Sequence, residues 1–165
     1  VPPSLMARIL IVGYGNPLRS DDGLGWRAAE ELSRDLSLPE AEVEVIVRHQ
    51  LTPELADKFR HADAIFFIDA ARGGQPGELT CAPVIPEART GSSHHGSPAG
   101  ILTLVQQLYG RTPRAYVVSL CGECFDHGEA LSAVVENGLP KLTALVARLA
   151  KQEAARPLSG RSHDI

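Results

Sequence analysis

Acidic and histidine side chains at three places in this sequence have the chemistry to bind a metal cation. Asp21 and Asp22 end the glycine-rich run VGYGNPLRSDD, which begins in an apolar segment. Asp69 lies at the end of the apolar run AIFFIDA, and His94 and His95 stand together in the segment GSSHHGSPAG. Two carboxylates and one imidazole, from Asp22, Asp69 and either His94 or His95, would form a three-ligand open site. Such a set suits zinc or nickel better than calcium, which prefers about six to eight oxygen ligands.

Each of these residues also has an ordinary structural interpretation. Adjacent aspartates before a helix are most often N-caps, and an aspartate at a strand end often hydrogen-bonds its own loop. Histidines in a Gly/Ser loop are usually solvated. Because a helix N-terminus stabilises carboxylates, we expect Asp21 to cap the following helix and Asp22 to point outward, available to a cation. The joint placement of Asp22, Asp69 and the adjacent histidines, rather than any one of them, favours a metal site.

The glycine-rich run does not match the patterns that bind phosphate. A dinucleotide fingerprint needs a third glycine three positions after the second, and Leu18 stands there. No Gly-Lys-Ser/Thr follows, as a phosphate-binding loop would require. Asp21 and Asp22 would also repel a phosphate. A nucleotide-binding protein, for which Gly13 and Gly15 would have to hold the phosphate, is therefore the weaker interpretation.

Alternating apolar runs and helical patterns predict the elements that position these residues. Continuous apolar runs are typical of strands buried on both faces of a parallel sheet, and the runs between them have helical spacing. The fold class predicted is α/β, a three-layer, mostly parallel twisted sheet with helices on both faces. Ligands of such sheets collect beyond the carboxyl ends of the strands, so the candidate ligands should share one edge. The predicted strands are 7–13, 43–49, 64–71 and 114–120, with an edge or hairpin strand in GELTCAPV. Helices are predicted over 23–38, from Thr52 and Pro53, from Ser97 and Pro98, and over 131–154 with an interruption at Pro140.

Length and charge limit the remaining possibilities. A chain of 165 residues with 44% hydrophobic residues can bury the core of one domain, which we expect over 7–151, with disordered ends at 1–6 and 156–165. A net charge of −4 argues against a nucleic-acid partner. No apolar run approaches the ~20 residues that span a membrane, so no membrane partner is expected. The absence of an export signal and the presence of only three cysteines predict a cytoplasmic protein.

Four runs of the sequence resemble the nickel-iron hydrogenase maturation endopeptidases, in the same order and at similar spacing. The most specific is ILIVGYGNPLRSDDGLG; the others are QLTPELADKFRHADAIFFIDA, SSHHGSPAGILTLVQQLYG and GECFDHGEALS. The resemblance covers about residues 7–150. It implies an α/β fold and an endopeptidase that removes a short C-terminal extension from the large-subunit precursor of a hydrogenase after nickel insertion.

The resemblance also assigns roles to individual residues. The metal-contacting positions of the family fall on Asp22, where some members have Glu, on Asp69 and on His94, with His95 as the alternative one residue away. These three residues are thus the predicted catalytic and metal-contacting set. The implied metal is nickel carried by the precursor, or another divalent metal. Asp22, Asp69 and His94 would act either as ligands of a hydrolytic metal or as a clamp that recognises nickel in the precursor. The alternative function is a nickel-binding maturation chaperone without proteolytic activity.

The cysteines of CGEC, Cys121 and Cys124, depart from the family pattern. A CxxC pair can be a redox centre or half of a zinc site, but only Cys81 could be added to it in this chain. Two unpaired cytosolic thiols are the simpler interpretation, and no catalytic role is assigned to either.

Overall fold

The computed structural model describes residues 6–87 and 96–158 of the chain. The predicted disordered ends fall largely outside these ranges, and so do His94 and His95. The described strands are β1 (Ala7–Tyr14), β2 (Ala41–Arg48), β3 (Ala64–Ala71), β4 (Leu79–Pro83) and β5 (Arg114–Cys121). The described helices are a short 3-10 helix (Ser20–Gly23), α1 (Leu24–Asp35), α2 (Leu55–Phe59), α3 (Pro98–Tyr109) and α4 (Ala133–Ala154).

The five strands form one sheet in the order β2-β1-β3-β5-β4. Strands β2, β1, β3 and β5 run parallel, and β4 pairs with β5 in the antiparallel direction at one edge. The predicted α/β fold class is therefore confirmed, and GELTCAPV supplies the edge strand expected of it. Because β1, β3 and β5 are neighbours and parallel, their carboxyl ends lie side by side at the same edge of the sheet.

Helices cover both faces of the sheet, and each face has its own apolar core. On one face, α1 and α4 pack on strand residues that include Ile11, Phe66 and Leu120. On the other, α2 and α3 pack on Val12, Ile65 and Phe67. Neighbouring strand residues contribute to opposite cores because side chains alternate across a strand. Fully burying a side chain of this size stabilises the fold by about 1.5–3 kcal/mol. None of the described helices has both the length and the apolar content needed to cross a membrane.

Two glycines allow α1 to lie directly against the sheet. A Cβ on Gly13 of β1 would stand 2.0 Å from the carbonyl oxygen of Gly25 in α1. A Cβ on Gly25 would in turn stand 2.5 Å from the carbonyl oxygen of Ile68 in β3. No side chain fits at either place. Gly25 therefore permits the close contact of helix and strand that the third glycine supplies in a dinucleotide fold, although it is ten positions from Gly15.

The closing helix differs from the prediction, since Pro140 does not interrupt it. Helix α4 runs without a break through Pro140, which is exposed. A proline inside a helix costs about 3 kcal/mol because it removes one hydrogen bond and crowds the preceding turn. Here the helix continues because its apolar stripe is buried on both sides of the proline, at Val135, Leu139, Leu142, Val146 and Ala150.

The second helix is shorter than its sequence suggests. Thr52 and Pro53 were predicted to start it, but they form a turn in which their carbonyl groups accept hydrogen bonds from Leu55 and Ala56. The helix itself begins at Leu55 and has five residues. By contrast, the predicted start of α3 is confirmed, because the Ser97 hydroxyl accepts a hydrogen bond from the Gly100 N–H and Pro98 is the first helical residue.

Candidate active site

Asp69 occupies the carboxyl end of β3, between the ends of two neighbouring strands. The Tyr14 hydroxyl, from β1, donates to its Oδ2 at 2.7 Å, and the Ser119 hydroxyl, from β5, donates to its Oδ1 at 2.7 Å. Ser119 is opposite Asp69 in the parallel register, which brings the two side chains together. Each carboxylate oxygen is thus held by one hydroxyl and keeps a second lone pair for a ligand.

The surroundings of Asp69 disfavour its negative charge. Burial raises the pKa of this carboxyl above its ordinary value, and the charge of nearby Asp22 raises it further, although the hydrogen bonds from Tyr14 and Ser119 oppose the shift. Burial and the Asp69 carboxylate also raise the pKa of Tyr14, so its hydroxyl stays protonated and donates at neutral pH. A cation near Asp69 and Asp22 would relieve this electrostatic cost.

Asp22 reaches the same edge of the sheet from the turn that follows β1. Gly15 has a φ of 136°, and a Cβ there would stand 2.1 Å from the Asp22 carbonyl oxygen, so only glycine lets the turn fold this tightly. The backbone N–H of Asn16 donates to Asp22 Oδ2 at 2.8 Å. We call Asp22 and Asp69 the carboxylate pair; both are half-buried.

Asp21 has a different role from the one predicted. It does not cap α1, whose N-cap is Gly23 without a side-chain hydrogen bond. Its carboxylate is completely buried and accepts from four donors of a distant segment. Burial alone would raise the pKa of Asp21, but the donors from Cys124, Ser132 and Glu123 outweigh it and lower the pKa. The donors are the backbone N–H groups of Glu123 (2.8 Å), Cys124 (3.0 Å) and Ser132 (2.7 Å) and the hydroxyl of Ser132 (2.8 Å).

Backbone hydrogen bonds extend this contact into a latch between two loops. We use loop latch for residues 18–21 together with 122–132. The latch joins the GNPLRSDDG run to the GECFDHGEALS run, two of the four runs that carry the family resemblance. Its further bonds run from Ser20 N to Gly128 O (2.8 Å), from Gly128 N to Leu18 O (2.9 Å), from Asp21 N to Cys124 O (3.0 Å) and from the Ser20 hydroxyl to Asp126 O (2.8 Å).

The structure thus brings two of the three predicted site residues to one edge of the sheet. Asp22 and Asp69 are close enough for the charge of one to shift the pKa of the other. His94 and its alternative His95 lie outside the described residues, so their place in the site stays a prediction. Within residues 6–87 and 96–158, no three His, Cys, Asp or Glu side chains are grouped closely enough to hold a metal ion.

Sequence reasoning missed three residues that support the site. Tyr14 and Ser119 orient Asp69, and Ser132 binds the buried Asp21. A signal was present for Ser119, because it lies near the end of a predicted strand, as Asp69 does. That signal identifies a partner only when the strand order is known, since β3 and β5 are separated in sequence by β4 and α3.

The two thiols of CGEC are free and lie in or beside the loop latch. Cys121 is buried at the end of β5, and Cys124 is partly exposed. The Cys124 thiol lies 3.9 Å from Asp126 Oδ2, and the Cys121 thiol lies 3.7 Å from the Gly122 carbonyl oxygen. Neither contact involves an imidazole or a cationic group that would stabilise a nucleophilic thiolate.

Solved structures of hydrogenase maturation proteases have the same fold as this chain. The [NiFe] hydrogenase maturation protease HycI from Thermococcus kodakarensis KOD1 is 25% identical, with 88% of this chain and 94% of that one covered and a TM-score of 0.68. The protease HybD from Thermococcus kodakarensis is also 25% identical, with 87% and 99% covered and a TM-score of 0.68. The resemblance found in the sequence is confirmed by these structures.

A third structure shows the same fold at lower identity. The hydrogenase maturating endopeptidase HybD from E. coli is 24% identical, with 88% of this chain and 93% of that one covered and a TM-score of 0.69. No protein-family model matches the sequence, and no curated protein matches it either. The likeness is therefore one of fold over nearly the whole length of proteins of this class.

Proposed function

We propose that this protein is an endopeptidase that removes the C-terminal extension from the large-subunit precursor of a nickel-iron hydrogenase. The observation that carries the proposal is the carboxylate pair at the carboxyl ends of β1 and β3, in a fold shared with HycI and HybD proteases. Sites of open α/β sheets lie at this edge. Hydrogen bonds from Tyr14 and Ser119 fix the orientation of the Asp69 carboxylate there, as catalysis would require.

The substrate proposed is a precursor that already carries nickel. Asp69, whose charge is disfavoured by burial and by Asp22, suits a divalent cation together with Asp22, and an imidazole from His94, or from His95 one residue on, would complete a three-ligand contact. In this proposal the nickel ion arrives with the precursor rather than residing in the enzyme. Asp22, Asp69 and His94 then detect whether the metal has been inserted, and another divalent metal could bind the same groups.

Hydrolysis requires a water molecule to attack the scissile carbonyl carbon while a base takes its proton. The proton then passes to the departing nitrogen, and the C–N bond breaks. A bound metal would polarise the carbonyl group. In this chain Asp69 is the proposed proton acceptor, since Tyr14 and Ser119 fix its carboxylate and leave one lone pair on each oxygen. Asp22 is the proposed cation contact on the adjacent turn.

The carboxylate pair could alternatively serve recognition alone, by holding the precursor's nickel so that the scissile bond is positioned. Positioning of this kind can supply about 7–11 kcal/mol of a reaction barrier. The two roles differ in one measurable way. A recognition clamp depends on nickel in the precursor, whereas a hydrolytic metal of the enzyme would act on either form of the precursor.

Cleavage of nickel-loaded and metal-free precursor tests these proposals. The enzyme is first treated with a chelator, and both products are identified by mass spectrometry. We expect two fragments from the loaded precursor and an intact metal-free precursor. Equal rates on both would overturn the nickel-sensing mechanism. A loaded precursor that binds the protein but stays full length, even after a divalent metal is returned to the enzyme, would favour the nickel-binding maturation chaperone instead.

A further inference from the structure

An exposed arginine stacks on an aromatic ring beside the candidate site. Arg72 follows β3 directly, and its guanidinium carbon lies 3.6 Å from the centroid of the Phe125 ring. Among the described residues Arg72 makes no ion pair, whereas most other described arginines lie within 4.0 Å of a carboxylate. Stacking covers a face of the guanidinium group, and its N–H donors lie in the plane, directed outward.

The ring beneath Arg72 is held in place by the loop latch. A Cβ on Gly122 would stand 2.4 Å from Phe125 Cζ, so the ring lies directly on the backbone of Gly122. The next two residues along the loop donate their N–H groups to the buried Asp21. A guanidinium group on a fixed ring loses little conformational entropy when it binds a ligand.

The position of Arg72 separates it from the reacting groups. It is three residues beyond Asp69, about 10 Å along an extended chain at about 3.3 Å per residue. Successive strand side chains alternate, and Ala70 packs on the face covered by α1 and α4. Asp69, the neighbour of Ala70, therefore projects toward the opposite face, and Arg72 lies beyond the last residue of β3. A substrate could contact both only through different parts of its chain.

Charge indicates which chemical group Arg72 would bind. The adjacent edge of the sheet carries Asp21, Asp22 and Asp69, so an approaching carboxylate is repelled there except where a cation offsets the field. A planar guanidinium binds a carboxylate through two parallel hydrogen bonds. Every C-terminal extension ends in a carboxylate, and about three or four extended residues span the distance from Asp69 to Arg72.

We propose that Arg72, supported by Phe125, is a subsite that binds a carboxylate of the C-terminal extension while the scissile bond lies at the carboxylate pair. This inference rests on the proposed function. The carboxylate is either the extension's terminal group or an acidic side chain within it. The subsite holds the extension in register and takes no part in the bond-breaking step.

Steady-state cleavage of the nickel-loaded precursor tests the subsite. Arg72→Ala should raise KM about tenfold and leave kcat nearly unchanged, because a contact far from the scissile bond stabilises substrate and transition state alike. Arg72→Lys should recover part of the loss, since it keeps the charge but not the planar pair of donors. Phe125→Leu should raise KM by a smaller factor. Arg148→Ala is the matched control, because Arg148 is an exposed arginine on α4 that makes no ion pair within the described part of the chain.

Two altered precursors identify the source of the carboxylate. One has an amidated C-terminus, and the other has the acidic side chains of its extension changed to amides. The precursor that lacks the bound carboxylate should show the same KM with wild-type enzyme as with Arg72→Ala. An unchanged KM for Arg72→Ala, or an equal change for Arg148→Ala, would overturn the subsite while the proposed function stands. A wild-type enzyme that leaves the loaded precursor intact would instead overturn the proposed function, and the subsite with it.

Discussion

The loop latch and the carboxylate pair hold Asp21 and Asp69 in opposite electrostatic situations, although Asp21 of the latch is the sequence neighbour of Asp22 of the pair. Asp21, in the latch, is completely buried, yet its pKa is lowered because four donors stabilise the anion. Asp69, in the pair, has its pKa raised because burial and the charge of Asp22 outweigh two hydroxyl donors. Burial by itself therefore does not predict how a carboxylate behaves; the number and type of its donors decide.

This difference separates a structural carboxylate from one suited to chemistry. The donors around Asp21 include three backbone N–H groups, all of which are satisfied by its carboxylate. Asp69 is held by two hydroxyl groups, which can also accept hydrogen bonds and so tolerate a change of ligand or charge. Its charge is left undercompensated by the protein, as expected where a cation or proton is to bind.

The largest expected effect is the loss of processing when a member of the carboxylate pair becomes neutral. Asp69→Asn or Asp22→Asn should lower the rate of precursor cleavage by more than about tenfold, because each removes a charged contact to the metal. Asp69→Asn should leave the free energy of unfolding at pH 7 unchanged or higher, since it removes a half-buried charge that its two hydroxyl donors compensate only in part. Cleavage followed by mass spectrometry and urea denaturation measure the two quantities. Normal processing by a folded variant would refute the assignment.

Substitutions of the two loop histidines, His94 and His95, should have very different effects on precursor cleavage. His94→Ala is expected to reduce processing by more than about tenfold, and His95→Ala is expected to leave it close to wild type, because only one imidazole is needed to complete the contact. Both variants are assayed on the same nickel-loaded precursor. If His95→Ala alone abolishes cleavage, the predicted register of the loop is wrong by one residue.

Asp21→Asn should weaken the fold rather than the chemistry. The amide cannot satisfy the donors that converge on the carboxylate, and breaking a buried charged network of this kind costs about 3 kcal/mol. Urea denaturation at pH 7 measures the loss in the free energy of unfolding. Asp22→Asn serves as the control one residue away, with little expected change in stability. Equal stability of the two variants would show that the Asp21 carboxylate does not stabilise the fold.

The pH dependence of stability should carry opposite signs for the two regions. Asp21 has a lowered folded pKa, so its stabilisation is present above the unfolded value of about 3.9 and is lost as pH falls through the folded pKa. Asp69 has a raised folded pKa, so its favourable term is present below about 3.9 and is lost as pH rises through the folded pKa. Relative to wild type, Asp21→Asn should become less stable, and Asp69→Asn more stable, as pH rises from about 3 to 7. If the free energy of unfolding changed with pH in the same way for wild type and both variants, the assigned pKa directions would be wrong.

The smallest expected effect is that of the thiols in and beside the latch. Cys124→Ser should process the precursor at nearly the wild-type rate in reducing buffer, because the contact of its thiol is with the Asp126 carboxylate and not with an imidazole or a cationic group that would stabilise a thiolate. Cys121→Ser should do the same, with a loss of about 1 kcal/mol in stability from the buried hydroxyl. The prediction is tested by measuring the cleavage rate of each variant and correcting it for the fraction of folded protein. A folded double variant without activity would indicate a cysteine nucleophile.

Much of the fold could be predicted because local patterns specify it. The apolar runs that became β1, β3 and β5 are continuous, and Ser97 with Pro98 marks the start of α3. Two helices were predicted less well for opposite reasons. Close packing of its apolar stripe carries α4 past Pro140, whereas α2 has too few residues beyond its starting turn to extend.

The sequence by itself determined the strands and helices, the glycine-rich turn and the short list of residues that could bind a cation. These features depend on neighbours within a few positions, where spacing and residue type are sufficient. Only the tertiary structure decided which aspartate of the adjacent pair is structural. The donors to Asp21 stand more than 100 positions away in the chain. The partners of Asp69 likewise come from strands whose order no local pattern encodes. A carboxylate's charge is set by groups in space, and only the fold brings those groups together.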